Sequence, residues 1–365
     1  MKQLQTRLLL VGETRVWRTY TGGKRIDEWR GRNGGAVGNF PEDWIASTVV
    51  ASNPGREEIP EGLSRVLNLP GQPELRTLFE EDPESWFGTA HAEKFGSALG
   101  ILIKMIDAGE RLTIQVHPDK EYAKQVFHSD YGKTEAWYIL GGEDACIYFG
   151  FKPGITREQW KMLFDRQDIP GMLDCLHRIP VKQGDSFLIC GGVPHAIGQG
   201  CFLVEVQEPT DYTMRTELVT PGGLHIHLNQ CHQGVGFEKM LDCFHYEGLS
   251  LEETQKRWKV NPEVTIQPGC TITSLIDARY TTLFSMRSLL VNGECALRRP
   301  QRLSVFAVLG GSGSAFNGEE TMSLNQGDYL VVPAGVQTLQ LAGESFHLVE
   351  CLPPAIDESK SVNCF

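Results

Sequence analysis

With 365 residues, 41% hydrophobic and 22% charged, the chain has an ordinary globular composition and room for two domains. A formal net charge of −12 argues against nucleic acid as a partner. The apolar run at 8–11 is far too short to cross a membrane, so none is expected as a partner.

The ten cysteines are scattered without a CxxC pair, and no signal-peptide cleavage pattern follows the first apolar run. Free thiols in a reducing cytoplasm are expected. Many short Val/Ile/Leu/Phe runs between glycines and prolines favour an all-β plan.

In chain order, a short strand is predicted at 8–11, a glycine-rich connection at 21–38 without phosphate-loop spacing, and a strand at 44–51. Residues 72–95 read as helical and polar, with Glu74, Glu80, Glu81 and Glu84 on solvated faces. Residues 100–107 (GILIKMID) read as a buried strand interrupted by Lys104. A lysine in such a run either snorkels to water or is kept for an anion.

The stretch at 113–140 carries the most chemistry. Gln115 and His117 are two apart, so on a strand they share a face, between the apolar neighbours Ile114 and Val116. Pro118-Asp119 breaks that strand, and a second strand at 134–140 begins with Glu135. Taken alone, a QxH pair reads as a polar edge strand with a chance histidine. Downstream, 184–200 (GDSFLICGGVPHAIGQG) alternates turn and strand until His195 opens the next strand. A barrel would bring His195 back to the same interior. Gln, His, Glu and His together suit zinc or another divalent transition metal.

Between these stretches, 156–177 reads as a helical insert that starts at Thr156 and packs through Trp160, Leu163, Phe164, Met172 and Leu176. At 204–215, Glu205 and Gln207 alternate with valines, and Arg215 follows a turn, where it either holds a carboxylate or faces the pocket. His225 and His227 form a second HxH, but no Glu-bearing strand follows them, and a structural or surface role is expected.

The chain also repeats itself. AWYILGG at 136–142 is similar to VFAVLGG at 305–311, and QGDSFLICGGVPH at 183–195 to QGDYLVVPAGVQT at 326–338. Glu135 then aligns with Ser304, and His195 with Thr338. Two copies of one β-barrel unit are predicted, the second keeping the turns and lacking the metal-binding side chains. Fold constraints act on both copies alike, so this contrast favours a metal site in the first.

LTIQVHPD, GKTEAWYI, GVPHAI and the Glu205…Arg215 segment together resemble type I phosphomannose isomerases, most specifically from Lys104 to Arg215. The resemblance implies a mainly β fold of two cupin-type (jelly-roll) barrels with a small helical insertion. The catalytic barrel would span 1–240, with the insert at 156–177, and a cupin-like barrel without metal ligands would span 241–365. It implies one Zn2+ per chain, held by Gln115, His117, Glu135 and His195. It further implies catalytic roles for Arg215, Lys133 and Glu205, and substrate contact through Thr113, with Lys104 beside it. The activity implied is interconversion of mannose 6-phosphate and fructose 6-phosphate by a monomer or homodimer in the cytoplasm.

The chain departs from the family after Glu205, reading VQEPTDYTMRTE where QNSDTTYRVYDW is typical. A sister isomerase of another phosphosugar, a non-catalytic sugar-binding cupin and an iron-dependent cupin oxygenase are the competing readings. A glutamine ligand beside one histidine, and Lys133 near Glu135, suit a sugar phosphate better than the last.

Overall fold

The structure is a computed structural model that describes residues 4–53 and 55–356. It is mainly β, as expected. The strands are β1 (Leu9–Val11), β2 (Arg15–Val16), β3 (Glu42–Ile45), β4 (Leu102–Asp107), β5 (Gln115–Val116), β6 (Glu135–Gly141), β7 (Cys146–Phe151), β8 (Leu176–Pro180), β9 (Ser186–Ile189), β10 (His195–Ile197), β11 (Phe202–Gln207) and β12 (Met214–Arg215). After three helices follow β13 (Glu263–Gln267), β14 (Cys270–Ile276), β15 (Ser285–Arg298), β16 (Ser304–Phe316), β17 (Thr321–Asn325), β18 (Tyr329–Val332) and β19 (Thr338–Leu352).

The first barrel has two sheets, ordered β2-β3-β4-β11-β6-β9 and β12-β5-β10-β7-β8. The second is one sheet, β1-β18-β16-β19-β15-β14-β13, with β17 on β16. β1 thus lies on the far side of the expected division at 240/241, since Leu9 pairs with Val331 in the second sheet. The largest apolar cluster joins the two barrels, holding Trp137 and Phe187 from one and Val305 and Tyr329 from the other.

The repeat is present in the backbone pairing. Glu135 opens β6 opposite Ile189, and Ser304 opens β16 opposite Val332. The turns before β9 and β18 both use glycine at positive φ, 91° at Gly184 and 94° at Gly327, a conformation that favours glycine. One cross-strand row also recurs. Lys104, Glu205 and Trp137 are consecutive partners in the first barrel, as are Arg287, Glu350 and Phe306 in the second. Such rows are where side chains interact across a sheet.

Several expectations needed adjustment. The strand expected at 44–51 ends at Ile45, where Ala46 takes a φ of 50°. Residues 75–95 form three short helices, Leu75–Glu81, Pro83–Phe87 and Thr89–Phe95, interrupted at Asp82 and Gly88. They bury Phe79, Trp86, Phe87 and His91, so one side of this polar-looking stretch is core. Lys120–Phe127 is helical, with Asp119 accepting the Tyr122 N–H at 2.7 Å, where no helix was expected. The insert forms two helices, Arg157–Asp165 and Ile169–Asp174, the first started by a capping box between Thr156 and Gln159. Of the cysteines, eight are buried free thiols. Cys190 is disulfide-bonded and departs from that expectation, and Cys364 lies outside the described residues. Among the described residues, no helix is long and apolar enough to cross a membrane.

Candidate metal centre and substrate cavity

The two sheets of the first barrel face each other, and the candidate ligands come from both. Gln115 and His195 are direct partners on β5 and β10, His117 follows β5, and Glu135 opens β6 on the opposing sheet. His117, Glu135 and His195 are buried, with ligand atoms within 4.8 Å of one another. His117 Nε2 lies 3.1 Å from Glu135 Oε2, and His195 Nε2 lies 3.4 Å from Glu135 Oε1.

Both imidazoles are held from behind. His117 Nδ1 donates to the Tyr212 carbonyl at 2.8 Å, and His195 Nδ1 to the Val193 carbonyl at 2.9 Å. This fixes the tautomer, so each Nε2 presents a lone pair to the centre. Burial drives both rings toward the neutral form, with His117 lowered to about 3. Burial opposes the charge on Glu135, but Lys133 and the imidazoles more than offset it and hold its carboxyl well below the usual range.

The donor set fits a divalent metal. Both carboxylate oxygens of Glu135 are buried and accept no hydrogen bond. A buried carboxylate that accepts no hydrogen bond is costly, and two imidazole lone pairs aimed at the same point cannot satisfy it. A cation can. In the structure the nearest cation is the Lys133 ammonium, 2.8 Å from His117 Nε2 and 3.2 Å from Glu135 Oε2. Gln115 turns its amide nitrogen toward His195 Nε2 at 3.3 Å. An oxygen ligand there requires the amide turned over, an orientation assigned from hydrogen bonding.

A polar cavity opens beside this centre. Its walls include Thr113, Gln115, Lys133, Lys104, Glu205 and Arg215, so the remaining candidate residues all face one space. Lys104 does not reach water, and the anion that it holds is a carboxylate of the protein. Its ammonium is buried and donates to Glu205 at 2.8 Å, with Glu42 3.9 Å away. Burial opposes its charge, but the two carboxylates raise its pKa.

Trp137 Nε1 donates to the other Glu205 oxygen at 2.9 Å. Burial and the Glu135 charge nonetheless push the Glu205 carboxyl up, and burial pushes the Lys133 ammonium down. Arg215 donates from Nη1 to the carbonyls of Thr213 and Gln230, both at 3.1 Å. His225 and His227 are exposed.

Sequence reading passed over Arg18, Tyr20 and Glu42, which complete the wall. They lie between the segments assigned from the sequence, and no periodicity or motif marks them. Tyr20 donates its hydroxyl to Glu42 at 2.8 Å, and Arg18 Nε donates to the same carboxylate at 3.0 Å.

Residues 58–136 match the profile of the phosphomannose isomerase type I catalytic domain. A probable mannose-6-phosphate isomerase of Bacillus subtilis (strain 168) is 30% identical over 254 residues, 67% of this chain and 73% of that protein. The crystal structure of the Bacillus subtilis mannose 6-phosphate isomerase superposes with a TM-score of 0.74 at 22% identity, covering 95% of this chain and 99% of that one. A zinc-bound mannose 6-phosphate isomerase structure superposes at 0.72 with 15% identity, covering 95% and 100%.

Proposed function

This chain belongs to the type I phosphomannose isomerase family, a family of cupin fold, and on that premise we propose that it interconverts mannose 6-phosphate and fructose 6-phosphate through a cis-enediolate. The observation that carries the reading is Glu135, its two oxygens buried without hydrogen bonds between two imidazole lone pairs, at the edge of a cavity with acid, base and arginine groups.

His117, Glu135 and His195 would hold one zinc per chain, with Gln115 as a fourth ligand once its amide is turned. The zinc-bound structure of the same fold supports that choice of metal. Zinc would supply Lewis acidity, polarising sugar oxygens without redox chemistry. Lys133 cannot share the centre with a divalent cation, so its ammonium would turn into the cavity.

Moving a proton between C1 and C2 needs a group that both accepts and returns it. Lys133 and Glu205 are the two candidates, each with its pKa displaced toward neutrality by burial. Glu205 is held rigidly by Lys104 and Trp137, and this would assign Lys104 to positioning Glu205 in place of direct contact with phosphate. The Arg215 fork faces developing negative charge, and Thr113 lines the rim. The eight free thiols fit the proposed cytoplasmic setting, and a monomer or homodimer is proposed.

The test is NMR of mannose 6-phosphate with zinc-loaded protein in deuterated water. Fructose 6-phosphate carrying deuterium at C1 or C2 is expected. No conversion of any hexose 6-phosphate would overturn the isomerase reading, and faster conversion of a different one would select a sister isomerase.

A further inference from the structure

The cavity wall carries four cations, and in this structure three are matched; with zinc bound, Lys133 would turn into the cavity, and Arg215 would still be the one guanidinium without a carboxylate. Lys133 pairs with Glu135 at 3.2 Å and Lys104 with Glu205 at 2.8 Å. Arg18 pairs with Glu42 at 3.0 Å and with Asp211 through two bonds, Nη1 to Oδ2 and Nη2 to Oδ1, both 3.1 Å. Arg215 has no ion pair among the described residues, only its two carbonyl acceptors.

Asp211 is four residues before Arg215 and is the carboxylate that acts most strongly on it. Among the described residues its only other hydrogen bond is from the Ser52 N–H at 3.0 Å. Four of the five Arg18 N–H donors go to protein acceptors, Nη1 also donating to Asn53 Oδ1 at 3.2 Å. Most of its fork is therefore spent on holding Asp211 and its neighbours.

We propose that Arg18 is a positioning residue that sequesters Asp211 and so reserves Arg215 for the anionic group of the substrate. This rests on the phosphosugar reading above. Without Arg18, Asp211 would turn to the one unmatched guanidinium of the cavity, and a phosphate or enediolate oxygen would then compete with an internal carboxylate. Glu42 would keep the Tyr20 and Trp44 donors and the nearby Lys104, so the loss falls chiefly on Asp211.

The experiment compares zinc-loaded wild type, Arg18→Met, Asp211→Asn and the double variant. It reads kcat and KM for mannose 6-phosphate and, separately, the dissociation constant of inorganic phosphate by titration. Arg18→Met is expected to lower kcat/KM and to raise the phosphate dissociation constant, each roughly tenfold or more. Adding Asp211→Asn should return both to within about threefold of wild type. A double variant no better than Arg18→Met alone, or an Arg18→Met variant with wild-type phosphate affinity, would overturn the proposal.

If Arg18→Met does not fold, Arg18→Lys takes its place, since it keeps the charge and loses the two-pronged grip. An intermediate loss, again recovered by Asp211→Asn, is expected, and no loss would count against the idea. Wild type that binds phosphate but converts no mannose 6-phosphate would instead sink the isomerase reading. The phosphate titration would then still decide the role of Arg18.

Discussion

Ser304 stands in the second barrel where Glu135 stands in the first, each the first residue of its strand and in the same register with the strand beyond the turn. Arg299 fills the corresponding interior. Its Nη2 donates to Ser304 Oγ at 2.8 Å, and its Nη1 to the Val336 carbonyl at 2.6 Å. Val336 is two residues before Thr338, as Val193, whose carbonyl orients His195, is two before His195. The second barrel thus carries its own fixed cation.

Arg299→Met should destabilise the protein by about 3 kcal/mol or more, because buried carbonyls of Val332, Pro333 and Val336 lose a charged donor. Denaturant unfolding measures this. Zinc content of the folded fraction is expected to be unchanged, and a loss of zinc would show the barrels to be coupled.

The metal centre is tested by removal. His117→Ala should lose both bound zinc and turnover, read by metal analysis and the isomerase assay. Full activity in metal-free variant protein would refute the mechanism. Chelation of wild type should lower its unfolding midpoint, since zinc at 100 times its dissociation constant contributes about 2.7 kcal/mol.

The Lys104–Glu205 pair gives a double-mutant cycle. Lys104→Met alone leaves a buried carboxylate without its cation and should cost about 3–5 kcal/mol. Glu205→Gln in the same chain should recover a large part of that loss, though not turnover. A neutral Lys104→Met in urea unfolding would show that the pair does not hold Glu205.

Glu42 supplies a pH signature. Burial opposes its charge, but Arg18 and Lys104 overcome this and hold its carboxyl far below the usual range. A carboxyl depressed in the folded state contributes stability above its unfolded pKa and loses it as pH falls through the folded value. The stability difference between wild type and Glu42→Gln should be full above about pH 5.5 and shrink steadily below about pH 4.5. A difference that does not vary with pH would mean that the ion pairs are not the cause.

Much of the site was legible in one dimension. Alternation placed Gln115 and His117 on one face, a proline marked the strand end, and the repeat set Glu135 and His195 apart from Ser304 and Thr338. The capping box at Thr156 is likewise a local signal. The apolar side of the helices at 75–95 was hidden because each is too short to show a period.

The sequence by itself determined the metal-ligand set as an expectation and the two-barrel plan, because strand period and turn chemistry act over a few residues, and it pointed to the family through the resemblance of its motifs. The tertiary structure decided how the charges are matched. Lys104 meets Glu205 only through the pairing of β4 with β11, Arg18 meets Asp211 across 193 positions, and β1 joins a sheet built from the far end of the chain. A buried charge takes whichever partner packing brings within a few ångströms, and no local pattern records which one that is.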